Sequence, residues 1–364
     1  MKAITQKWLG GMLMDQVVDL FLSDASTRKK WEELLSSLGL HDFSEREVDV
    51  IDHTIGLKDE EGNLVGTGSV AGNVLKYIGV KNDDMAQGAR FNKVVSSLMQ
   101  YLVNERIFHS FVFTKAKYAT SFEHLHFNLL AKTDTAAFLE NGMPDVTDYV
   151  ADLPKVEDQA TKKVVAIVMN ANPFTLGHQY LVKLASEEND LVYVFVVAND
   201  ASLFSFDERL ELVKAGTKAF ANVKVVSGGD YMVSPATFPA YFLKTPADLI
   251  KVQTVIDAAV FKNKIAPDLN IHKRYLGQEP FSKTTNFYNE SLIDELGPDI
   301  DVVVVKRLQE NQEIVTATKV RQLIKADKLK EISKFVPPTT YEFVKKNMDE
   351  LQSRIKKGMK IDGN

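Results

Sequence analysis

The sequence predicts an α/β protein of two domains, and three features of the 364-residue chain predict it. From Val164 onward, short apolar runs rich in β-branched residues alternate with helical stretches, the pattern of a parallel, doubly wound sheet. Before residue 135, closely spaced strand-like runs are followed by helix and strand, a mixed α+β pattern. Between the two, residues 150–163 are polar and carry Pro154, as a connector would. The domains are therefore expected at residues 1–150 and 151–364, each long enough to bury its own core.

Taken in order, residues up to about Leu40 read as helical, because Trp8, Leu9, Met12, Val17, Leu20, Phe21 and Leu22 fall mainly on helical spacings. Residues 53–58 and 64–70 read as a hairpin, with turn chemistry supplied by Glu61-Gly62-Asn63. A strand at 74–80, a helix at about 89–103, a strand at 107–114 and a helix near 122–130 complete the first module, which is expected to end near residue 135. In the second, 164–168 is a strand followed by a loop and a helix from about Gly177, and 191–198 is a second buried strand. A helix opens at Ser205, with Glu208 placed as its capping-box partner, and runs to about Phe220. Further strands are expected at 223–226, 274–276 and 301–306.

Composition excludes several kinds of function. There is no cysteine, hence no disulfide framework, thiolate metal site or cysteine nucleophile. Net charge is −5, with 44 basic against 49 acidic residues, which gives no broad positive field for nucleic acid. The first residues lack a signal-peptide pattern, and no apolar run approaches the roughly 20 residues of a membrane span, so a cytoplasmic protein is expected. The histidines other than His178 (His41, His53, His109, His124, His126 and His272) form no convincing metal-ligand set.

The chemistry is concentrated in two short runs. Met169-Asn170-Ala171-Asn172-Pro173-Phe174-Thr175-Leu176-Gly177-His178 lies between a strand and the following helix, where open α/β sheets bind ligands and a helix N-terminus offers N–H groups to an anion. Gly177 allows a phosphate near the backbone, and His178 can place its imidazole on phosphate oxygens. Later, Thr316-Ala317-Thr318-Lys319-Val320-Arg321 opens another helix: Thr316 or Thr318 can cap it, and Lys319 and Arg321 can neutralise phosphate charge. Taken singly, Gly177 suits packing, His178 a surface cap, and residues 316–321 an ordinary capped helix. Both runs, in this order on these elements, point to a nucleotide. Asp200, Asp230, Glu279 and Arg307 lie near strand ends, where each equally suits a ligand contact, an ion pair or a cap.

These runs resemble the paired T-x-G-H and T-A-T-K-V-R signatures of the nucleotidylyltransferase superfamily, and residues 203–209 resemble the stretch after its second strand. Residues 168–178, 236–244 and Leu276-Gly277-Gln278-Glu279-Pro280-Phe281, with Tyr288-Asn289, resemble the citrate lyase ligase family, and the resemblance extends over nearly the whole chain. It implies a Rossmann-like nucleotidylyltransferase domain that uses ATP to activate acetate as acetyl-adenylate, releasing pyrophosphate. The acetyl group would then pass to the phosphopantetheine-type thiol of the citrate lyase acyl carrier subunit. Catalytic roles are implied for Thr175, His178 and Arg321. Nucleotide binding is implied for Asn172, Pro173, Phe174, Thr175, Gly177, His178, Gly277, Glu279, Thr316, Thr318, Lys319 and Arg321, with Mg2+ on the phosphates and no metal site of the protein's own. Ala171 and Thr316 stand where other small residues are expected. Acetate is already ionised at neutral pH, so its attack on phosphorus needs positioning and leaving-group stabilisation but no general base.

Residues 53–103 resemble the acetyltransferase (GNAT) fold, whose loop before the helix holds a coenzyme A pyrophosphate. Here the loop reads Ala86-Gln87-Gly88-Ala89-Arg90-Phe91-Asn92, so Gly88 is kept but Arg90 and Asn92 replace later glycines. Close backbone approach is compromised, and Arg90 is left to contact a phosphate by its side chain. Two other functions fit the same features: a nucleotidyltransferase acting on a phosphorylated, coenzyme-like acceptor, and a non-catalytic module that binds the carrier.

Overall fold

A computed structural model describes residues 15–81, 87–198, 202–232, 246–278, 283–310, 313–359 and 361. It separates into two units, the first built on residues up to Met143 and the second on those from Pro144, with residues 130–135 grouped in the second. Among the described residues, no helix is long and apolar enough to cross a membrane.

The first unit runs β1 (Gln16–Asp19), α1 (Ala25–Ser37), α2 (Glu45–Val48), β2 (His53–Lys58), β3 (Leu64–Ala71), β4 (Val74–Val80), α3 (Gln87–Asn104), β5 (His109–Lys115), α4 (Ala119–Glu123), β6 (Asn128–Lys132) and β7 (Ala136–Gly142). Its sheet has the order β1-β2-β3-β4-β5-β7-β6. Pairing is antiparallel from β1 to β4 and between β5 and β7, whereas β4 and β5 run parallel, paired at Val74↔Phe111 and Leu75↔Val112.

Three expectations are corrected here. Residues 16–19 form a strand and not a helix, because Val17 and Val18 pair with the backbone of β2. The helix proper starts after Asp24, whose side chain accepts the Thr27 N–H at 2.7 Å. Trp8, Leu9 and Met12 lie outside the described residues. The helix expected near 122–130 stops at Glu123, since His126 takes a left-handed φ of +64° and the chain then enters β6. Finally, β7 inserts between β5 and β6, so the module runs on past residue 135 to Gly142. The hairpin is as expected: Asp59 Oδ1 accepts the N–H groups of Glu61 and Asn63 at 3.0 and 2.8 Å, and Gly62 supplies φ +80°. One core gathers Leu57, Val94, Leu98, Val112, Phe122 and Leu139. A smaller one surrounds Trp31, which is fully buried, with the Tyr77 ring 4.9 Å away.

The second unit runs α5 (Val146–Asp152), β8 (Val164–Met169), α6 (Leu176–Glu188), β9 (Leu191–Val196), α7 (Phe206–Thr217), β10 (Val223–Ser227), α8 (Pro246–Val260), β11 (Ile271–Gly277), α9 (Lys283–Leu296), β12 (Asp301–Val305), α10 (Ala317–Lys325), α11 (Leu329–Ile332) and α12 (Pro338–Lys356). Its five strands are parallel in the order β10-β9-β8-β11-β12. The order reverses between β8 and β11, which opens a crevice at their carboxyl ends. Residues 150–163 are less of a free connector than their polarity suggests. The Tyr193 hydroxyl donates to Pro154 O at 2.6 Å, and the buried Gln159 donates through Nε2 to Leu269 O at 2.7 Å. Ser205 and Glu208 form the expected capping box at the start of α7.

Candidate active site

The loop after β8 ends at Thr175, the N-cap of α6, whose hydroxyl accepts the His178 N–H. In return His178 Nδ1 accepts the Thr175 N–H at 3.1 Å, with the Thr175 hydroxyl 2.9 Å away. A nitrogen that accepts a backbone N–H carries no proton, so the ring proton sits on Nε2. The ring lies nearly parallel to Phe174, with centroids 5.8 Å apart. Burial, then the positive charges of Arg307 and Arg321, bring the His178 pKa down from 6.5 to about 4. His178 is thus a neutral N–H donor near pH 7.

Asn172, Pro173 and Phe174 are buried, so they shape the loop from below and do not line an open surface. Asn172 Oδ1 accepts the Phe204 N–H at 3.1 Å, and its carbonyl accepts Arg321 Nη1 at 2.5 Å. At Gly177 an added Cβ would stand 3.5 Å from Val315 O, an ordinary contact. Protein neighbours therefore tolerate a side chain there, and what the glycine keeps open is the approach of something else. Gly277 ends β11, and apart from its chain neighbours no described residue comes within 4 Å of where a Cβ would stand; Asn289 Nδ2 donates to its carbonyl at 3.3 Å.

Thr316, not Thr318, caps α10, accepting the Lys319 N–H at 3.1 Å. Lys319 is half-buried in the first turn of that helix. The half-buried Arg307 donates through Nε to Gln278 O at 2.8 Å and through Nη1 to Val315 O, the same carbonyl that faces Gly177. It thereby joins the ends of β11 and β12 to the entrances of α6 and α10.

Arg321 departs from expectation. It is 0 % exposed and its guanidinium is engaged inside the protein: Nε with Ile361 O at 2.8 Å, Nη1 with Asn172 O, and Nη2 with the Thr318 hydroxyl at 3.0 Å. The buried fork ties the run 169–178 to the run 316–321 and presents no face to a ligand. Arg90 in the first unit is corrected likewise: it is 8 % exposed and grips Asp15 at 2.7 and 3.3 Å. Glu279 and Asp200 lie outside the described residues, as does the run 236–244, and Asp230 sits in the short turn Gly229–Tyr231 after β10.

Sequence reasoning missed the support beneath the loop. Arg209, fully buried, donates to Phe204 O, Val197 O and both oxygens of Asn170 at 2.7 to 3.1 Å. The signal was present as an arginine on the inward face of α7, a charge that only an internal partner set explains. The site as a whole offers two helix N-termini, the neutral His178 donor and the cations Lys319 and Arg307, a donor set that fits a polyphosphate.

A five-stranded parallel sheet with this strand order and this donor set at its crevice defines a Rossmann-like α/β domain, here accompanied by a seven-stranded mixed sheet in the first unit. Residues 164–344 match the family model for the citrate lyase ligase C-terminal domain. The chain is 35% identical over 294 residues to a citrate (pro-3S)-lyase ligase of Klebsiella pneumoniae, covering 79% of this chain and 85% of the relative. It is 30% identical over 326 residues to the citrate (pro-3S)-lyase ligase of Escherichia coli K12, covering 88% and 91%. The chain belongs to the citrate lyase ligase family. Similar solved structures include a putative nicotinate-nucleotide adenylyltransferase from Vibrio parahaemolyticus (22% identity, TM-score 0.34, 52% of this chain and 96% of that one). A putative acyl-CoA N-acyltransferase from Klebsiella pneumoniae is another (12% identity, TM-score 0.30, 36% and 99%).

Proposed function

We propose that this protein is the ligase that activates citrate lyase, making acetyl-adenylate from acetate and ATP and passing the acetyl group to the phosphopantetheine-type thiol of the lyase's acyl carrier subunit. One observation carries the reading: two helix N-termini, His178, Lys319 and Arg307 converge at the carboxyl ends of β8, β11 and β12. The relatives' names, ligases of citrate lyase, support citrate lyase as the partner.

In the first step an acetate oxygen attacks the α-phosphorus of ATP, and the bond to the bridging oxygen of pyrophosphate breaks. The charge that builds on pyrophosphate is met by Lys319, Arg307 and the N–H groups of Gly177, Ala317 and Thr318 in the first turns of α6 and α10. His178 donates its Nε2 proton as a hydrogen bond to a phosphate oxygen without giving it up. In the second step the carrier's thiolate attacks the acyl carbon, AMP leaves with its electron pair, and a thioester forms. Magnesium would ride on the phosphates. Among the described residues, no group of three or more histidine, aspartate or glutamate side chains is placed to hold a metal. The acetyltransferase-like first unit is assigned the carrier's pantetheine-type arm.

The test is acetate-dependent exchange of labelled pyrophosphate into ATP without carrier present. Exchange is expected, because adenylation is complete before the thiol enters. Exchange that ignores acetate, or that strictly needs the carrier, would overturn the mechanism; exchange supported by a phosphorylated acceptor in place of acetate would point to a nucleotidyltransferase.

A further inference from the structure

The phosphate loop is held at Asn172 from two directions, its carbonyl by Arg321 and its Oδ1 by the Phe204 N–H. Each holder is itself tied to the end of the chain. Arg321 Nε donates to Ile361 O, and Ile361 is 8 % exposed within the same core as Phe174 and Phe204. On the other side, Arg354 on α12 donates to Leu203 O at 3.1 Å and grips Glu208 with bonds of 2.7 and 3.0 Å. Glu208 in turn accepts the Ser205 N–H at 2.8 Å, next to Phe204. Asn172 stands three residues before Thr175, whose pairing with His178 sets the imidazole. Arg354 and Ile361 both lie past residues 164–344, the stretch that matches the family model.

We propose that the C-terminal segment, through Ile361–Arg321 on one side and Arg354–Glu208 on the other, is a splint that holds the phosphate loop in its working geometry, which makes Arg321 a positioning residue. The inference rests on the adenylation reading for its rate consequences, though not for its structural ones. Arg321 is the residue type such a splint needs. Its three acceptors lie in different directions, and a planar fork reaches them together where an ammonium cannot. A phosphate contact, by contrast, would need guanidinium nitrogens turned to the site, and here Nε, Nη1 and Nη2 each have a partner inside the protein.

Four variants, each first shown to melt cooperatively, decide between these roles: Arg321→Lys, Arg321→Ala, Arg354→Gln and Ile361→Ala. Two readouts are taken, acetate-dependent pyrophosphate exchange and the ring titration of His178 by NMR in the ligand-free protein, with His178→Gln assigning the signal. The splint predicts that Arg321→Lys is as impaired as Arg321→Ala to within about twofold. It also predicts that Ile361→Ala and Arg354→Gln each lower kcat about threefold or more, with KM for acetate little changed. In both the His178 titration should move up from about 4, because the ring loosens. Near-normal exchange in Arg321→Lys, or wild-type rate and titration in both C-terminal variants, overturns the proposal. Wild-type protein that shows no acetate-dependent exchange would sink the adenylation reading instead, and the splint is then judged by the titrations alone. Should the Arg321 variants not fold, the two C-terminal variants decide.

Discussion

At the scale of single residues, the proposed function has His178 serve an anionic substrate as a neutral side chain. Its depressed pKa keeps the ring uncharged at pH 7, so binding gains a directed N–H and not a second full charge beside Arg307. Replacing it by alanine should slow adenylation by about 10²-fold, the usual cost of losing one donor to a developing charge, with less effect on ATP affinity. A near-normal exchange rate would make the histidine structural. The pH dependence has a definite sign. Between pH 6.5 and about 4 the unfolded chain takes a proton on this histidine that the folded protein refuses, so its contribution to stability is intact above 6.5 and drains away as the pH falls to 4. The urea midpoint of the wild type should drop more between pH 7 and 4.5 than that of His178→Asn; equal drops would show that the ring titrates normally. The placing of Thr175 and His178 at the start of α6 was legible because it follows from local spacing at a helix start. Arg321 was legible as a cation but not as a strut, since a sequence shows a charge without showing whether a phosphate or a carbonyl receives it.

Among the elements, the packing of α7 against the phosphate loop sets how firmly α6 begins. Gly216, on the last turn of α7, lies flat against the ring of Phe174, and a Cβ there would be driven into that ring. Phe174 is fully buried directly before the Thr175 cap and has little room to move. Gly216→Ala should therefore destabilise the protein by about 1–3 kcal/mol, as overpacking does, and should lower the exchange rate as well. Denaturant titration beside the exchange assay checks both; an unchanged midpoint would mean that the ring can shift freely. β8 and β9 were readable because their apolar runs are buried on both faces and bounded by loops. β1, β6 and β7 were not. β1 is four residues long, and the apolar positions around it also fit a helical spacing. β7 forms because long-range pairing with β5 places it, and β6 takes the edge beside β7, which no local period records.

For the molecule as a whole, two units with separate cores imply two unfolding events, and the proposed division of labour assigns ATP to only one of them. Ligand that binds the folded second unit should raise its transition by mass action. The chain has two tryptophans, Trp8 and Trp31, and both precede the second unit, whose aromatic residues are tyrosine and phenylalanine. Trp31, sealed against Tyr77 and Phe43, is thus an optical label for the first unit alone. Thermal melting followed by tryptophan emission should be indifferent to ATP, while melting followed by far-ultraviolet dichroism shifts upward for the part of the signal that the nucleotide unit contributes. Equal shifts in both channels would mean that the units melt as one. A fluorimeter tuned to indole therefore watches the first unit with the second dark, and under the proposed division of labour carrier protein without tryptophan can be titrated against these two emitters with no dye attached.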